Sequence, residues 1–242
     1  MSLDDIRPAP ASDLPNVNWG PAPADPPHLY ATYEPEVAAA TVQVLQQIRS
    51  EEPKITRAMI AAAHSSNARM PDELLAWRVK SPQSLADKVT KKKRIRPGMP
   101  SADIAGRLTD VVRYTAIVDH LDEIVGCASA MASELTGHGW QIVEAEQSYV
   151  EGNPYKGLHL LARTPSGQVI ELQVHSVTSQ AIKDQHHSDY ETERDDSKPR
   201  AERAAARQRM VEAWATIRAP ACLDGLVLGG FTVARKAYPN PY

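Results

Sequence analysis

The segment LHLLARTPSGQVIELQVH, residues 158–175, decides the fold class. Leu158–Arg163 and Gln168–His175 are apolar-rich runs of strand length, and Thr164-Pro165-Ser166-Gly167 between them is a turn sequence of hairpin length. In the second run Glu171, Gln173 and His175 alternate with Leu172 and Val174, which gives one polar face and one apolar face. Three polar side chains in a row on a central strand are costly to bury unless they bind something, so this face is a site candidate. Working outward, Val111–Val118 and Gln141–Val150 read as further strands. Between them, Asp119–Leu135 sets Leu121, Ile124, Val125, Ala128, Met131 and Leu135 on one helical face. Residues 178–194 and 199–217 read as helices, the latter burying Met210, Trp214 and Ile217. On the N-terminal side, Val37, Thr41, Val44, Leu45 and Ile48 follow Pro35 at helical spacing, and a second short helix is expected over Lys54–Ala63. Ser81-Pro82, a cap followed by proline at the first helical position, opens a helix running to about Lys92. Helices bracketing a run of strands indicate an α/β or α+β sheet covered by helices.

Composition narrows the class. The 242 residues are 42% hydrophobic and 24% charged, with 27 basic against 30 acidic side chains, the balance of an ordinary soluble globular protein. No apolar run approaches the roughly 20 residues that cross a bilayer, and Asp4, Asp5 and early prolines stand where a basic and then apolar leader would be, so neither membrane insertion nor export is expected. Cys127 and Cys222 lie far apart and offer neither a disulfide framework nor a zinc knuckle. Eight of the 19 prolines fall in the first 35 residues, among apolar residues without a period. Residues 1–30 are therefore expected to be an extended or disordered lead-in to a single folded domain over 31–242.

Four constellations carry chemistry. The first is Arg78, Lys80, Ser84 and Lys88, followed by Lys91, Lys92, Lys93, Arg94 and Arg96: eight basic residues against one acid, Asp87, in residues 78–96. The helix that starts at Pro82 points its unpaired N–H groups towards Arg78 and Lys80, and Ser84 and Lys88 share one face of its first turns. This pattern suits a polyphosphate, whereas Lys91–Arg96 reads equally well as a solvated face. The second is Asp110, a hard oxygen donor at the start of the Val111–Val118 strand, in reach of a Mg²⁺ ion bridging to phosphates. Arg113 on that strand is placed to touch a phosphate or stack on a base, or to sit at the surface. The third is Tyr155-Lys156-Gly157-Leu158-His159, in which a tyrosine at a strand entrance suits base stacking or a core edge, and Gly157 permits close approach. The fourth is the polar face Glu171, Gln173, His175. His186, His187 and Glu191 follow it, and their zinc reading lacks an HExxH or cysteine partner.

In this order the elements resemble the synthetase domain of the RelA/SpoT family, which makes alarmone nucleotides. The family pattern reads R-x-K-x-x-x-S-x-x-x-K, an Asp at a strand start, G-Y-x-S-x-H, E-x-Q-x-R-T and a late histidine on a helix. The matching stations are Arg78/Lys80/Ser84/Lys88, Asp110, Tyr155/His159, Glu171/Gln173 and His187, over residues 78–191. The resemblance implies a five-stranded mixed sheet flanked by helices, a nucleotidyltransferase-like fold. It also implies Mg²⁺-dependent transfer of the β,γ-pyrophosphate of ATP to the 3′-hydroxyl of an acceptor nucleotide.

On this reading Arg78, Lys80, Ser84, Lys88 and Arg113 bind ATP, and Asp110 and Glu171 carry the metal. Glu171, Asp110 and Gln173 form the catalytic group, Glu171 also orienting or deprotonating the attacking hydroxyl, and Tyr155, His159 and His175 receive the acceptor. The chain departs from the pattern in three places: Arg113 sits two positions early, Pro154 and Gly157 flank the tyrosine motif, and His175-Ser176 replaces Arg-Thr. The last two changes surround the acceptor. The resemblance leaves the acceptor open among GDP/GTP, adenosine nucleotides and a tRNA 3′ end, with action in the cytoplasm of the producing or a target cell. No hydrolase motif precedes the synthetase segment, so the chain looks synthetase-only. Some such relatives are toxins, which brings in an antitoxin or immunity protein as a partner, and relatives of this sort are often homo-oligomers. The alternatives are a non-catalytic RNA- or nucleotide-binding module on the same fold and a nucleotidyltransferase that releases pyrophosphate.

Overall fold

Turn chemistry fixes the central hairpin. In the computed structural model, which describes residues 1–21 and 23–242, β3 (Leu158–Arg163) and β4 (Val169–Ser176) are joined by a turn in which the Gly167 amide donates to the Thr164 carbonyl (2.9 Å) and the Thr164 amide to the Gln168 carbonyl (2.8 Å). Gly167 has φ +94°, a conformation that side chains beyond glycine resist. Around the hairpin stand β1 (Arg113–Val118), β2 (Gln141–Gln147) and β7 (Ala234–Arg235), in the order β1-β4-β3-β2-β7. β2 and β7 run parallel, with Glu146 opposite Ala234. The expected five-stranded mixed sheet flanked by helices is therefore what the chain forms. A separate two-stranded ribbon pairs β5 (Val227–Leu228) with β6 (Phe231–Thr232).

The helices are α1 (Pro26–Thr32), α2 (Pro35–Ser65), α3 (Asp72–Leu75), α4 (Pro82–Ile95), α5 (Ser101–Gly106), α6 (Ile124–Gly137), α7 (Val177–Gln185), α8 (His187–Arg194) and α9 (Arg200–Ala215). Two expectations are corrected. The two helices expected on either side of Pro53 are one, α2, because Glu52 continues its buried stripe between Ile48 and Ile55 while being polar, which breaks the apolar pattern. The helix expected over 178–194 is interrupted at His186, which separates α7 from α8. Among the described residues no helix is long and apolar enough to cross a membrane.

The chain forms two compact units. The first comprises Met1–Ala61, Met70–Tyr114 and Arg163–Glu171. It contains residues expected to form a loose lead-in, yet Ile6, Val17, Trp19 and Leu29 are buried there. Proline accounts for the difference, since a chain with fixed φ angles loses less entropy on packing and needs no helical or strand period to be ordered. The second unit, Ala62–Arg69, Thr115–Ala162 and Leu172–Tyr242, holds most of the sheet together with α6 to α9. Trp214, Met131, Leu158 and Leu160 are among its buried side chains.

Candidate active site

The first unit gathers the expected phosphate residues around one carboxylate by strand pairing. The Lys80 amide donates to the Val111 carbonyl (2.8 Å) and the Arg113 amide to the Arg78 carbonyl (2.8 Å), which lays residues 78–80 antiparallel against 111–113. Alternate peptide groups of a strand point to opposite edges, so the Val112 carbonyl faces the other way. There it accepts from the Glu171 amide (3.0 Å). Three stretches remote in sequence, carrying Lys80, Asp110 and Glu171, thus meet on adjacent backbone.

Ser81 caps α4 as its sequence predicts, its side chain accepting from the Ser84 amide (3.2 Å). α4 buries Pro82, Leu85, Ala86 and Val89 and turns Lys88 towards Asp110. Lys88 Nζ lies 2.6 Å and Lys80 Nζ 3.1 Å from the same atom, Asp110 Oδ2. Asp110 Oδ1 is buried with no hydrogen-bond partner. Burial alone would raise the Asp110 pKa, but the charges and hydrogen bonds of Lys80 and Lys88 outweigh it and hold the carboxyl at about 2. The Lys80 pKa is lowered by burial, and the neighbouring Arg113 and Lys88 add to that against the attraction of Asp110. Two ammonium groups share one carboxylate oxygen, and Arg113 adds positive charge beside Lys80. Arg113 and Ser84 are exposed.

Arg78 departs from its expected place on ATP. It is 3% exposed, and its Nη1 donates to the carbonyls of Pro15 and Leu75 (2.8 Å each). Its Nε pairs with Glu52, which is wholly buried and also accepts from the Thr56 hydroxyl. Thr56 in turn contacts the Tyr114 hydroxyl at 2.7 Å. This core network, invisible to motif reading, engages the guanidinium that the pattern assigned to phosphate. Of the later basic run, Lys93 pairs with Glu34 (2.6 Å) and Glu36, while Lys92, Arg94 and Arg96 are exposed.

The second unit gathers the expected acceptor residues. Tyr155 Oη lies 2.7 Å from His159 Nε2 and 2.7 Å from His175 Nε2. His175 is fully buried and its Nδ1 lies 3.1 Å from Ser179 Oγ. Gln173 is also buried, its Oε1 accepting from Lys183 on α7 (2.7 Å), a residue absent from the motif reading. Two of the three residues on the polar face of β4, Gln173 and His175, are thus buried and bonded within the protein, whereas Glu171 is half-buried. His187 pairs with Glu191 (3.3 Å) and His186 with Asp189 (2.9 Å), each on its own helix stretch. Among the described residues no three His, Cys, Asp or Glu side chains cluster as a metal site.

No protein-family model and no curated protein matches this sequence. Among solved structures, the chain is similar to small alarmone synthetases, a GTP pyrophosphokinase family protein and a Type VI effector. Small alarmone synthetase 1 from Bacillus subtilis has a TM-score of 0.42 and 19% identity, over 68% of this chain and 84% of that one. The GTP pyrophosphokinase family protein from Streptococcus pneumoniae has a TM-score of 0.45 and 18% identity, over 71% and 82%. The Type VI effector Tas1, solved with its immunity protein, has a TM-score of 0.45 and 18% identity, over 73% and 95%.

Proposed function

We propose that this chain transfers the β,γ-pyrophosphate of ATP to the 3′-hydroxyl of an acceptor nucleotide, with Mg²⁺ as cofactor. The observation that carries the reading is the cluster at Asp110: Lys80 and Lys88 share Oδ2, Arg113 adds a third positive charge, and Oδ1 is buried without a partner. The surplus positive charge calls for an anion, and the orphaned carboxylate oxygen calls for a cation. A magnesium ion accompanied by a polyphosphate answers both.

Asp110, through Oδ1, and Glu171 would hold the ion, a donor set of two carboxylates that substrate phosphates complete in the usual manner of Mg²⁺. When bound, the ion would neutralise charge on the triphosphate. Lys80 and Lys88 would exchange Asp110 for phosphate oxygens, and the Ser84 hydroxyl would join them from the first turn of α4. Arg78 would act from the core, holding the turn that presents Lys80. Glu171 would orient the 3′-hydroxyl and take its proton as oxygen bonds to the β-phosphorus and AMP leaves with the bridging oxygen. Tyr155, His159 and Gln173 would receive the acceptor. The chemistry is mostly positioning and charge neutralisation, which this residue set supplies.

The test is incubation with γ-³²P-ATP and Mg²⁺ against GDP, GTP, AMP, ADP and tRNA, followed by chromatography. The expected result is label on an acceptor with release of AMP, abolished by Glu171→Gln while ATP binding is retained. Label on none of them would overturn the reaction in favour of a nucleotide- or RNA-binding module. AMP left on the acceptor would mark a nucleotidyltransferase instead.

A further inference from the structure

The Tyr155 hydroxyl has a structure around it that the reaction above leaves unexplained. Ser179 Oγ accepts from the Ser176 amide (2.9 Å) and donates to the Ser176 carbonyl (3.2 Å). Ser179 Oγ also lies 3.1 Å from His175 Nδ1, and the Tyr155 hydroxyl sits between His175 Nε2 and His159 Nε2 at 2.7 Å from each, so both rings share a hydrogen bond with it. Burial first, then the charges of Lys183 and His159, keep the His175 pKa well below that of a free imidazole, so the ring stays neutral and holds a single N–H. Trp214 of α9 meets the Tyr155 ring edge-on, with centroids 5.2 Å apart at 65°. Lys156, buried, anchors the same segment by donating to the Ile217 carbonyl beyond the end of α9 (2.6 Å).

Gly157 makes the arrangement fit. A Cβ there would lie 2.5 Å from Tyr155 Oη, 2.9 Å from its Cζ and 3.0 Å from His159 Nε2. The family pattern's serine at this station would therefore displace the tyrosine. Glycine at 157 and histidine at 175, both departures from the pattern, belong to one device.

We propose that His159 and His175 are positioning residues that hold the Tyr155 ring as a preset stacking platform for the acceptor base. The proposal rests on the acceptor role assigned above. A ring fixed before binding has less freedom to lose when a base lands on it, which strengthens binding. Because both imidazoles occupy the hydroxyl, the base meets the ring face, and stacking is tolerant of base identity.

Calorimetric titration of the full chain with GDP, GTP, AMP and a CCA trinucleotide reads acceptor binding without turnover, and titration with ATP reads the donor site. We expect Tyr155→Phe and His175→Gln each to weaken acceptor binding by about five-fold, equally for guanine and adenine nucleotides, with ATP affinity unmoved. The double variant should lose no more than Tyr155→Phe alone, since that change already removes the contact with His175. Tyr155→Phe retains the ring and its packing, so it stays informative if His175→Gln does not fold, and imidazole ¹⁵N spectra should then show the Nε2 signals of His159 and His175 displaced. Absence of acceptor binding, unchanged affinity in Tyr155→Phe, additive losses, or parallel loss of ATP binding would overturn the proposal. Acceptor binding without transfer of label would overturn the reaction alone.

Discussion

Arg78 and Glu52 place opposite charges in the core of their unit, with side chains 4% and 0% exposed. Such a pair is tolerated only when its remaining donors and acceptors are satisfied, and here the carbonyls of Pro15 and Leu75 and the hydroxyl of Thr56 complete the set. Removing one partner strands the other charge. Arg78→Met is therefore expected to lower unfolding stability by about 3–5 kcal/mol in urea titration, and adding Glu52→Leu should recover part of that loss. A cost below about 1 kcal/mol, the range of an exposed pair, would return Arg78 to the surface and to the phosphate role its motif suggests. Asp110 illustrates the opposite arrangement, a partly buried carboxylate over-supplied with cations and left with one oxygen unbonded.

At the scale of elements, α4 shows what local chemistry decides. Ser81 accepts from the Ser84 amide and Pro82 supplies the first helical φ, so the helix start follows from two adjacent residues. Ser81→Ala should cost about 1 kcal/mol in thermal unfolding and weaken ATP binding by loosening the turn that carries Ser84 and Lys88, whereas Ser81→Asp should keep the cap and the stability. Equal stability in the alanine variant would show that tertiary packing of Leu85 and Val89 alone holds the helix start.

The β3–β4 hairpin was readable for the same reason, a turn sequence between two alternating runs. Elements that depend on distant partners were not. α2 looked broken because Glu52 occupies an inward position and finds its partner 26 residues away. β7 is two residues long and acquires its meaning only from pairing with β2. Asp110 and Lys80 were legible as residue types at a spacing. Their sharing of one oxygen, and the closure of His159 and His175 on Tyr155, arise from pairings that periodicity does not encode.

For the whole molecule, the proline-rich start behaves as part of the first unit. The Asn18 amide donates to the Ala76 carbonyl (2.7 Å), Trp19 Nε1 to the Val79 carbonyl (3.1 Å), and Pro15 receives Arg78. Asp13 pairs with Arg57 of α2, and the Arg7 guanidinium lies over the Trp19 ring. The contacts of Pro15, Asn18 and Trp19 converge on residues 76–80, the stretch that pairs with 111–113 and presents Lys80 to Asp110. The N-terminal segment therefore braces the proposed phosphate site, without contributing a motif to it. In the full chain, Trp19→Ala should destabilise the protein by about 3 kcal/mol through loss of a buried aromatic side chain, and should weaken ATP binding as the Val79 backbone loses its donor. Deleting residues 1–24 should lower the melting temperature further. A segment that served only as a tether would leave melting and ATP affinity at the full-chain values in both variants, and that result would separate the lead-in from the site it is argued to support.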